Sequence, residues 1–217
     1  MTPEKILTPQ ERRERNRQEI IDSILSIARE MMQADGVAAL SINAIARRLG
    51  MTPPALYTYF DSKHAIYDAL FRLGFEEFGK RMRQQIQENA TVHEHVLGAI
   101  EGYLAFAQEN PDLYQLMMQR PVPGFVPSEE SMSVSLAVLE EGSDVLQQAL
   151  EKADLAPAMP LEEARDLLFA MTEGLTNLHL ANDPDLPVAQ GRFGKLTARA
   201  ARLFLDAWQP DRDAAGS

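Results

Sequence analysis

The chain has 217 residues, of which 45% are hydrophobic and 24% are charged, a balance typical of a globular protein rather than a disordered or fibrous one. It has no cysteine, which excludes disulfides, thiolate metal sites and cysteine nucleophiles. Residues 2–10 are polar and lack the apolar core of a signal peptide, and no apolar run is long enough to span a bilayer. We therefore expect a cytoplasmic protein with no membrane partner.

The net charge of −11 is unevenly distributed along the chain. Residues 1–72 contain ten Lys/Arg and nine Asp/Glu, whereas residues 73–217 contain eleven Lys/Arg and 23 Asp/Glu. Binding to phosphates needs a locally positive surface, not a basic molecule as a whole. The N-terminal third can therefore bind nucleic acid, and the acidic remainder would repel DNA in wrong orientations.

Apolar residues recur at helical spacing in nearly every segment, and neither alternating strand patterns nor hairpin turns are found. We predict an all-α fold with about nine helices: one over 9–35, two short ones within 41–60, and others over 62–88, 92–109, 111–119, 128–154, 160–182 and 191–208. The predicted domains are 9–65 and 66–210, with flexible tails at 1–8 and 211–217.

The two short helices carry the most informative motif. Ser41 can cap the first of them, and Gly50 ends it and permits a sharp turn. Thr52 can cap the second helix, with Pro53 at its first position, where no amide hydrogen is needed. Two short amphipathic helices joined by a turn that contains glycine are typical of the helix-turn-helix unit, whose second helix enters the major groove of DNA.

Exposed polar residues around this motif suit contacts with DNA. The amide of Asn43 can read adenine, hydroxyl groups can donate to phosphates, and Lys63 starts the next helix, where an ammonium and free amides can meet one phosphate. The hydroxyl groups belong to Thr52, Tyr57, Thr58 and Tyr59. Arginines 12, 13, 15 and 17 favour this interpretation; the alternative is a pair of ordinary core helices preceded by a charged, solvated face.

Residues 36–70 resemble the N-terminal domain of TetR-family repressors. The resemblance is carried by Ile45-Ala46, Leu49-Gly50, Ala55-Leu56-Tyr57-Thr58-Tyr59-Phe60 and Ser62-Lys63. It implies that the first three helices and the start of the fourth bind DNA, and that the remainder binds a ligand and dimerises. The positions that it places against DNA are Ser41, Asn43, Thr52, Pro53, Ala55, Tyr57, Tyr59 and Lys63.

The sequence departs from the family pattern at Pro53-Pro54, where many members have a polar or basic residue followed by glycine. Two prolines cannot make bidentate contacts with base edges. We therefore expect base readout to rely on Asn43, Ala55 and Thr58, with apolar contact to thymine methyl groups.

The C-terminal part contains candidates for a ligand pocket and a dimer interface. Aromatic and methionine side chains with a few polar groups nearby are typical of small-ligand sites, although each could equally be an ordinary core residue. The pocket candidates are Tyr103, Phe106, Tyr114, Met117, Met118, Phe125, Phe169, Thr172 and Asn177. The resemblance implies a dimer formed by the last two helices, with the alternative that their apolar stripes pack within one subunit. The dimer candidates are Leu168, Met171, Leu175, Leu178, Leu196, Ala200, Leu203 and Phe204.

No pattern of residues predicts catalysis, a metal site or a cofactor. His93 and His95 are two residues apart and point in different directions on a helix, and no His-Glu-x-x-His motif is found. We expect a dimeric repressor that binds a double-stranded, palindromic operator and is released by a small, largely apolar effector. The alternatives are an activator or effector-independent regulator of the same fold and, more remotely, an α-helical enzyme.

Overall fold

The computed structural model describes residues 8–87, 89–153, 155 and 159–206. This part of the chain is helical and contains no strand, which confirms the predicted all-α fold. The helices are α1 (Pro9–Asp35), α2 (Ile42–Arg48), α3 (Pro53–Leu56), α4 (Lys63–Arg83), α5 (Val92–Glu109), α6 (Pro111–Tyr114), α7 (Glu129–Lys152), α8 (Leu161–Asn182), α9 (Gly191–Gly194) and α10 (Thr197–Asp206). A 3-10 turn, Val37–Ala39, precedes α2, and a π-helical turn, Gln115–Gln119, extends α6.

Three helices differ from their predicted extents. Helix α4 ends at Arg83 because the chain turns at Gln85, whose side chain packs against α5. The region 111–119 changes from α-helical to π-helical hydrogen bonding after Tyr114. The region 191–208 is interrupted at Leu196, whose amide bonds to the carbonyl of Phe193 in a tighter turn. Residue 88 and residues 207–208 lie outside the described residues.

The start of α1 is fixed by a capping box at Thr8. Its hydroxyl accepts from the amide of Glu11 at 3.2 Å, and its own amide donates to the Glu11 carboxylate at 2.8 Å. These reciprocal bonds satisfy amides that have no partner within the helix. Thr8 is thus the N-cap of α1 and not part of the tail that we predicted over 1–8. The other tail residues, 1–7 and 211–217, lie outside the described residues.

The buried core crosses the predicted domain boundary at residue 65. Apolar residues of α1, α2 and α3 form one cluster with α4, α5 and α6, so that Ile24 and Phe60 belong to the same core as Phe106. Helix α4 runs unbroken through residue 65, and the phenol of its Tyr67 donates to the carbonyl of Val37 at 2.7 Å. A second cluster joins α5, α7, α8 and α10.

Helix α4 packs closely against the π-helical turn at Gly74. A Cβ atom at this position would lie 2.4 Å from Sδ of Met117, in the π-helical turn. Nearer its start, Asp68 accepts hydrogen bonds from the amide of Ser128 at 2.7 Å and from the hydroxyl of Ser131 at 2.9 Å. The first half of α4 is therefore held both to the segment after α6 and to α7.

An ion pair joins α1 directly to α6. Nε of Arg29 lies 2.7 Å from one carboxylate oxygen of Asp112, and a terminal guanidinium nitrogen lies 3.1 Å from the other. Gln33 donates to the same carboxylate at 3.0 Å. Burial alone would raise the pKa of Asp112, but the bonds from Arg29 and Gln33 outweigh it and hold the pKa below its ordinary value. The Asp112 carboxylate is inaccessible to solvent, so these bonds replace the hydrogen bonds that water would otherwise donate to it.

We expect Asp112→Asn to destabilise the protein at neutral pH, with Asp112→Ala costing about 3 kcal/mol, because either change leaves Arg29 without its anionic partner. Since the folded-state pKa of Asp112 is depressed, its contribution is complete above the unfolded-state value of about 3.9 and is lost as the pH falls through the folded-state value. The gap between wild type and Asp112→Asn should therefore close below about pH 4.

Urea unfolding at neutral and acid pH measures this gap. Glu109→Gln is the matched control, because its exposed ion pair with Arg81 is of the kind that contributes less than about 1 kcal/mol. Equal free energies of unfolding for Asp112→Asn and wild type at neutral pH would show that the Arg29–Asp112 ion pair does not stabilise the fold.

Candidate DNA-contacting surface and effector cavity

Helices α2 and α3 form the predicted helix-turn-helix. Gly50 has φ +65°, a left-handed conformation that favours glycine, and its amide bonds back to the carbonyl of Arg47. The amide of Met51 then bonds to the carbonyl of Ala46 at 2.9 Å, which closes the turn. Ile45 and Leu56 are fully buried and attach the two helices to the core. The opposite sides of α2 and α3 remain exposed.

The two helix starts differ in how their caps are used. The hydroxyl of Ser41 accepts from the amide of Ala44 at 3.4 Å and so caps α2 as predicted. Thr52 stands at the N-cap of α3, but its side chain makes no capping bond. The reason is that Pro53 and Pro54 have no amide hydrogen, and the amide of Ala55 bonds to the carbonyl of Thr52 instead. The exposed hydroxyl of Thr52 is thus left for another partner.

The turn after α3 is held by α1. A guanidinium nitrogen of Arg17 donates to the carbonyl of Thr58 at 3.2 Å, and the guanidinium carbon lies 5.2 Å from the ring centroid of Tyr59. The hydroxyl of Thr58 donates to the carbonyl of Ala55 at 2.7 Å, while Tyr57 is 48% exposed. Arg17 therefore positions the turn after α3, a role that the sequence did not indicate.

The remaining candidates for DNA contact are accessible to different degrees. Asn43 is exposed on α2, whereas Pro53 and Ala55 are partly covered on α3. Lys63 is the first residue of α4, and its ammonium lies 5.7 Å from the ring centroid of Tyr67. The helix is capped by Ser62, whose hydroxyl accepts from the amide of Ala65 at 3.1 Å. Arg47 is also exposed, in the last turn of α2, and was not among the candidates.

A cavity of about 170 Å³ lies between α4, α5, α7 and α8. Of the nine predicted pocket residues, Tyr103, Phe169 and Thr172 line it. Most of its other walls are apolar side chains that the sequence analysis did not predict for the pocket: Phe78, Met82, Ile86, Val96, Ala99, Val138, Leu139, Val145, Leu146 and Leu168, the last of which was a dimer candidate. They were missed because helical periodicity identifies buried faces but not the gaps between them.

Six predicted pocket residues lie elsewhere. Phe106 packs on Phe78 within the core, and Met117 lies against α4 at Gly74. Met118 is half-buried beside the same core. Phe125 packs on Tyr67 and other rings of α4, away from the cavity, because the loop before α7 folds back over the start of α4. Tyr114 and Asn177 belong to a hydrogen-bond network beside the cavity.

That network centres on the carboxylate of Glu173, in α8. One carboxylate oxygen accepts from the phenol of Tyr103 at 2.6 Å. The other accepts from the phenol of Tyr114 at 2.8 Å and from the amide of Asn177 at 2.8 Å. Burial, followed by the bond to Glu173, raises the pKa of both Tyr103 and Tyr114 well above the ordinary phenol value, so both remain proton donors at physiological pH.

The predicted dimer residues divide into two groups. Ala200 and Phe204 are buried within the subunit, while Leu168, Met171 and Leu175 are half-buried against the same cluster, so these five serve mainly the subunit's own core. Leu196 is half-buried in the turn before α10. Only Leu178 and Leu203 are exposed, at 45% and 60%. Leu167, Ala170 and Gly174 of α8, which were not among the dimer candidates, are also exposed.

The described residues contain neither of two features that would indicate other functions. No group of three or more His, Asp or Glu side chains is arranged to hold a metal ion. Within the same residues, no helix is both long and apolar enough to cross a membrane.

Two family models match the chain. "Bacterial regulatory proteins, tetR family" matches residues 24–70, from the middle of α1 to the first third of α4. "Tetracyclin repressor-like, C-terminal domain" matches residues 96–200, from α5 into α10. The first contains both helices of the helix-turn-helix, and the second contains most of the cavity.

Individual proteins agree with this assignment. The nucleoid occlusion factor SlmA of Marinomonas sp. (strain MWYL1) is 26% identical over 156 residues, which cover 70% of this chain and 78% of that protein. The TetR-family regulator PfmR of Thermus thermophilus superposes with a TM-score of 0.62 at 19% identity, over 86% of this chain and 99% of that one. The transcriptional regulator FadR of Bacillus subtilis, solved with stearoyl-CoA, gives 0.64 at 18% identity, over 87% and 99%.

Proposed function

Because the chain belongs to the TetR family of bacterial regulatory proteins, whose members are transcriptional regulators and not enzymes, we propose that it is a repressor. It binds a palindromic operator as a homodimer and is released by a small, largely apolar effector. The observation that carries the proposal is that one chain contains both an exposed helix-turn-helix and an apolar cavity. The parts of the molecule that contain them share a core and are joined by the Arg29–Asp112 ion pair. Its place of action is the cytoplasm, where the bacterial chromosome lies.

The reading surface favours apolar contacts with bases. Helix α3 begins with two prolines, neither of which donates a hydrogen bond, and Pro54 and Tyr57 are exposed beside Ala55. Such side chains suit the methyl groups of thymine in the major groove. Asn43 supplies the amide for an adenine, while Thr52 and Lys63 supply donors for phosphates. Contacts to phosphates fix the position of the protein, and the base contacts give it sequence preference.

The dimer would form through the exposed faces of α8 and α10. Leu167, Ala170, Gly174 and Leu178 follow helical spacing on α8, and the absence of a side chain at Gly174 permits close approach of a second helix. Helix α10 offers Leu203 beside Arg199 and Arg202, and the first turns of α8 offer Glu162, Glu163 and Asp166. A two-fold dimer is required by half-sites that lie about 34–36 Å apart on one face of DNA.

The effector would occupy the cavity between α4, α5, α7 and α8. Its volume of about 170 Å³ is comparable to the roughly 150 Å³ of an apolar cavity that binds benzene. It therefore accommodates one ring or a short hydrocarbon chain. A longer molecule would extend past Leu139 and Phe169, which border the cavity and are 39% and 42% exposed. The binding of stearoyl-CoA by FadR from Bacillus subtilis supports an effector of this apolar kind.

A second candidate is a DNA-binding regulator of the same fold that needs no effector. The similarity to a nucleoid occlusion factor favours it, since that name describes no small ligand. The two candidates differ in whether any small molecule changes the affinity for DNA. An activator differs from a repressor in the position of the operator relative to the promoter.

Selection of duplexes from a random DNA pool at near-physiological salt should recover a palindrome with half-sites about one helical turn apart. On that operator, Lys63→Ala should weaken binding to all sequences alike and reduce the slope of log affinity against log salt by about 1.

Asn43→Ala should change the preference at one base position of the operator by about 1–3 kcal/mol. An unchanged preference would remove Asn43 from base readout, and failure of folded protein to enrich any sequence would overturn the proposed operator binding.

Leu203→Glu should convert the dimer to a monomer at micromolar concentration. Because the two-fold axis repeats the substitution in the second subunit, it places two negative charges in an apolar contact. The exposure of Leu203 means that the change should leave the folded subunit intact. Leu136→Glu is the matched control, since Leu136 is 52% exposed on α7, outside the proposed interface. Analytical ultracentrifugation measures both variants; a monomeric wild type, or equal dissociation of the two variants, would contradict the interface.

Ala99→Phe should fill the cavity and abolish the response to effectors, because Ala99 lines it. A panel of small aromatic hydrocarbons and medium-chain fatty acids is titrated against the protein–operator complex, and release of DNA is followed by fluorescence anisotropy. We expect at least one of these classes to release wild type, but not Ala99→Phe, from the operator. Release of both proteins alike would place the effector site elsewhere, and release of neither by any compound would favour the effector-independent regulator.

A further inference from the structure

A set of hydrogen bonds runs from the wall of the cavity to the DNA-binding part of the molecule. It begins at Tyr103, which lines the cavity and donates to Glu173. It continues to α6, because Tyr114 of that helix donates to the same carboxylate. It ends at α1, because Asp112 of α6 accepts from Arg29. Only one residue separates the two links within α6.

A second connection ties the same carboxylate to the turn that follows α6. Asn177 donates to Glu173 at 2.8 Å and accepts from Gln119 of the π-helical turn at 3.0 Å. That turn also carries Met117, which packs against α4 at Gly74. Glu173 of α8 therefore holds the middle of the segment 111–119 directly, at Tyr114, and its end through Asn177. The same segment contacts α1 through Asp112 and α4 through Met117.

Of the residues joined by these bonds, Tyr103 is the one that lines the cavity. The bonds to the Glu173 carboxylate that the structure describes come from neutral groups, two phenols and one amide. A phenol donates only one hydrogen bond. If Tyr103 donates to a ligand oxygen, it therefore no longer donates to Glu173. The carboxylate must then reorganise its remaining bonds, among them the one from Tyr114.

We propose that Glu173 is a positioning residue that sets the orientation of α1 and α4 relative to the cavity, and that Tyr103 is the group through which an effector disturbs it. This inference rests on the proposed function and names how the cavity regulates DNA binding. Loss of either phenol hydrogen bond widens the range of orientations of the reading helices. The two helices of a dimer then match the half-sites less well, and they discriminate less between correct and incorrect half-site spacing.

The test uses the full-length protein and three duplexes: the operator recovered by selection, and the same operator with one base pair inserted or deleted between its half-sites. Affinities are measured by fluorescence anisotropy for wild type, Tyr103→Phe, Tyr114→Phe and the double variant. We expect each single variant to bind the native operator about three- to tenfold more weakly and to show a smaller penalty for altered spacing. The double variant should lose less than the product of the two single effects, because both phenols donate to Glu173.

Two further variants separate positioning from a general loss of stability. Ser135→Ala removes a buried hydroxyl whose bond stays within α7, and it should bind all three duplexes like wild type. Glu173→Gln keeps one of the two acceptor oxygens, so it loses one of the two phenol bonds and should behave like a single Tyr→Phe variant. Thermal unfolding of every variant checks that the protein is folded at the temperature of the measurement.

Each outcome decides the inference. A weaker, less spacing-sensitive Tyr103→Phe beside an unchanged Ser135→Ala supports it. Wild-type behaviour of Tyr103→Phe, or an equal effect of Ser135→Ala, overturns it while leaving the proposed operator binding intact. A wild type that does not discriminate between the three spacings overturns the proposed dimeric operator, and the inference with it.

Discussion

The carboxylate of Asp112 is the constraint on which the arrangement of the two halves depends. It is buried in the C-terminal part of the chain, but its cationic partner, Arg29, belongs to α1, in the N-terminal part. Any motion that separated the two would leave a buried charge uncompensated, which is among the largest penalties in protein energetics. Motions that keep the pair intact must therefore carry α1 along with α6. The orientation of α1, and of the helix-turn-helix that packs on it, is consequently tied to the four-residue helix α6.

A continuous core makes this connection mechanical. Phe60, next to the reading helix, and Tyr103, in the wall of the cavity, belong to the same buried cluster. Since close-packed interiors shift between discrete arrangements and do not deform smoothly, a rearrangement at one end of the cluster changes the packing at the other. The domains that the sequence distinguishes are thus functional regions built on one core. The second cluster, around α8 and α10, supports the proposed dimer face and is the more independent of the two.

Local signals in the sequence predicted the helices and the helix-turn-helix, because capping residues, glycine and amphipathic periodicity act over a few residues. They did not predict the break at Leu196 or the π-helical turn after Tyr114. Periodicity marked Phe204 and Leu203 alike as apolar, yet one is buried in its own subunit and the other is exposed. The Arg29–Asp112 and Tyr103–Glu173 bonds join residues 83 and 70 positions apart, and no local pattern indicates such pairs.

In the proposed mechanism, helix α4 would convert a tilt at the cavity into a displacement at the DNA. It carries Lys63, a proposed phosphate contact, at its first residue and Phe78, a wall of the cavity, fifteen residues later. At 1.5 Å per residue these positions are about 22 Å apart, so a tilt of about 5° at the cavity moves Lys63 by about 2 Å. The two prolines of α3 remove amide donors that could otherwise hold a phosphate. In the proposed complex, the start of α3 would therefore hold the DNA backbone through Thr52 and not through its amides, and at the start of α4 a displacement of this size would be enough to break hydrogen bonds.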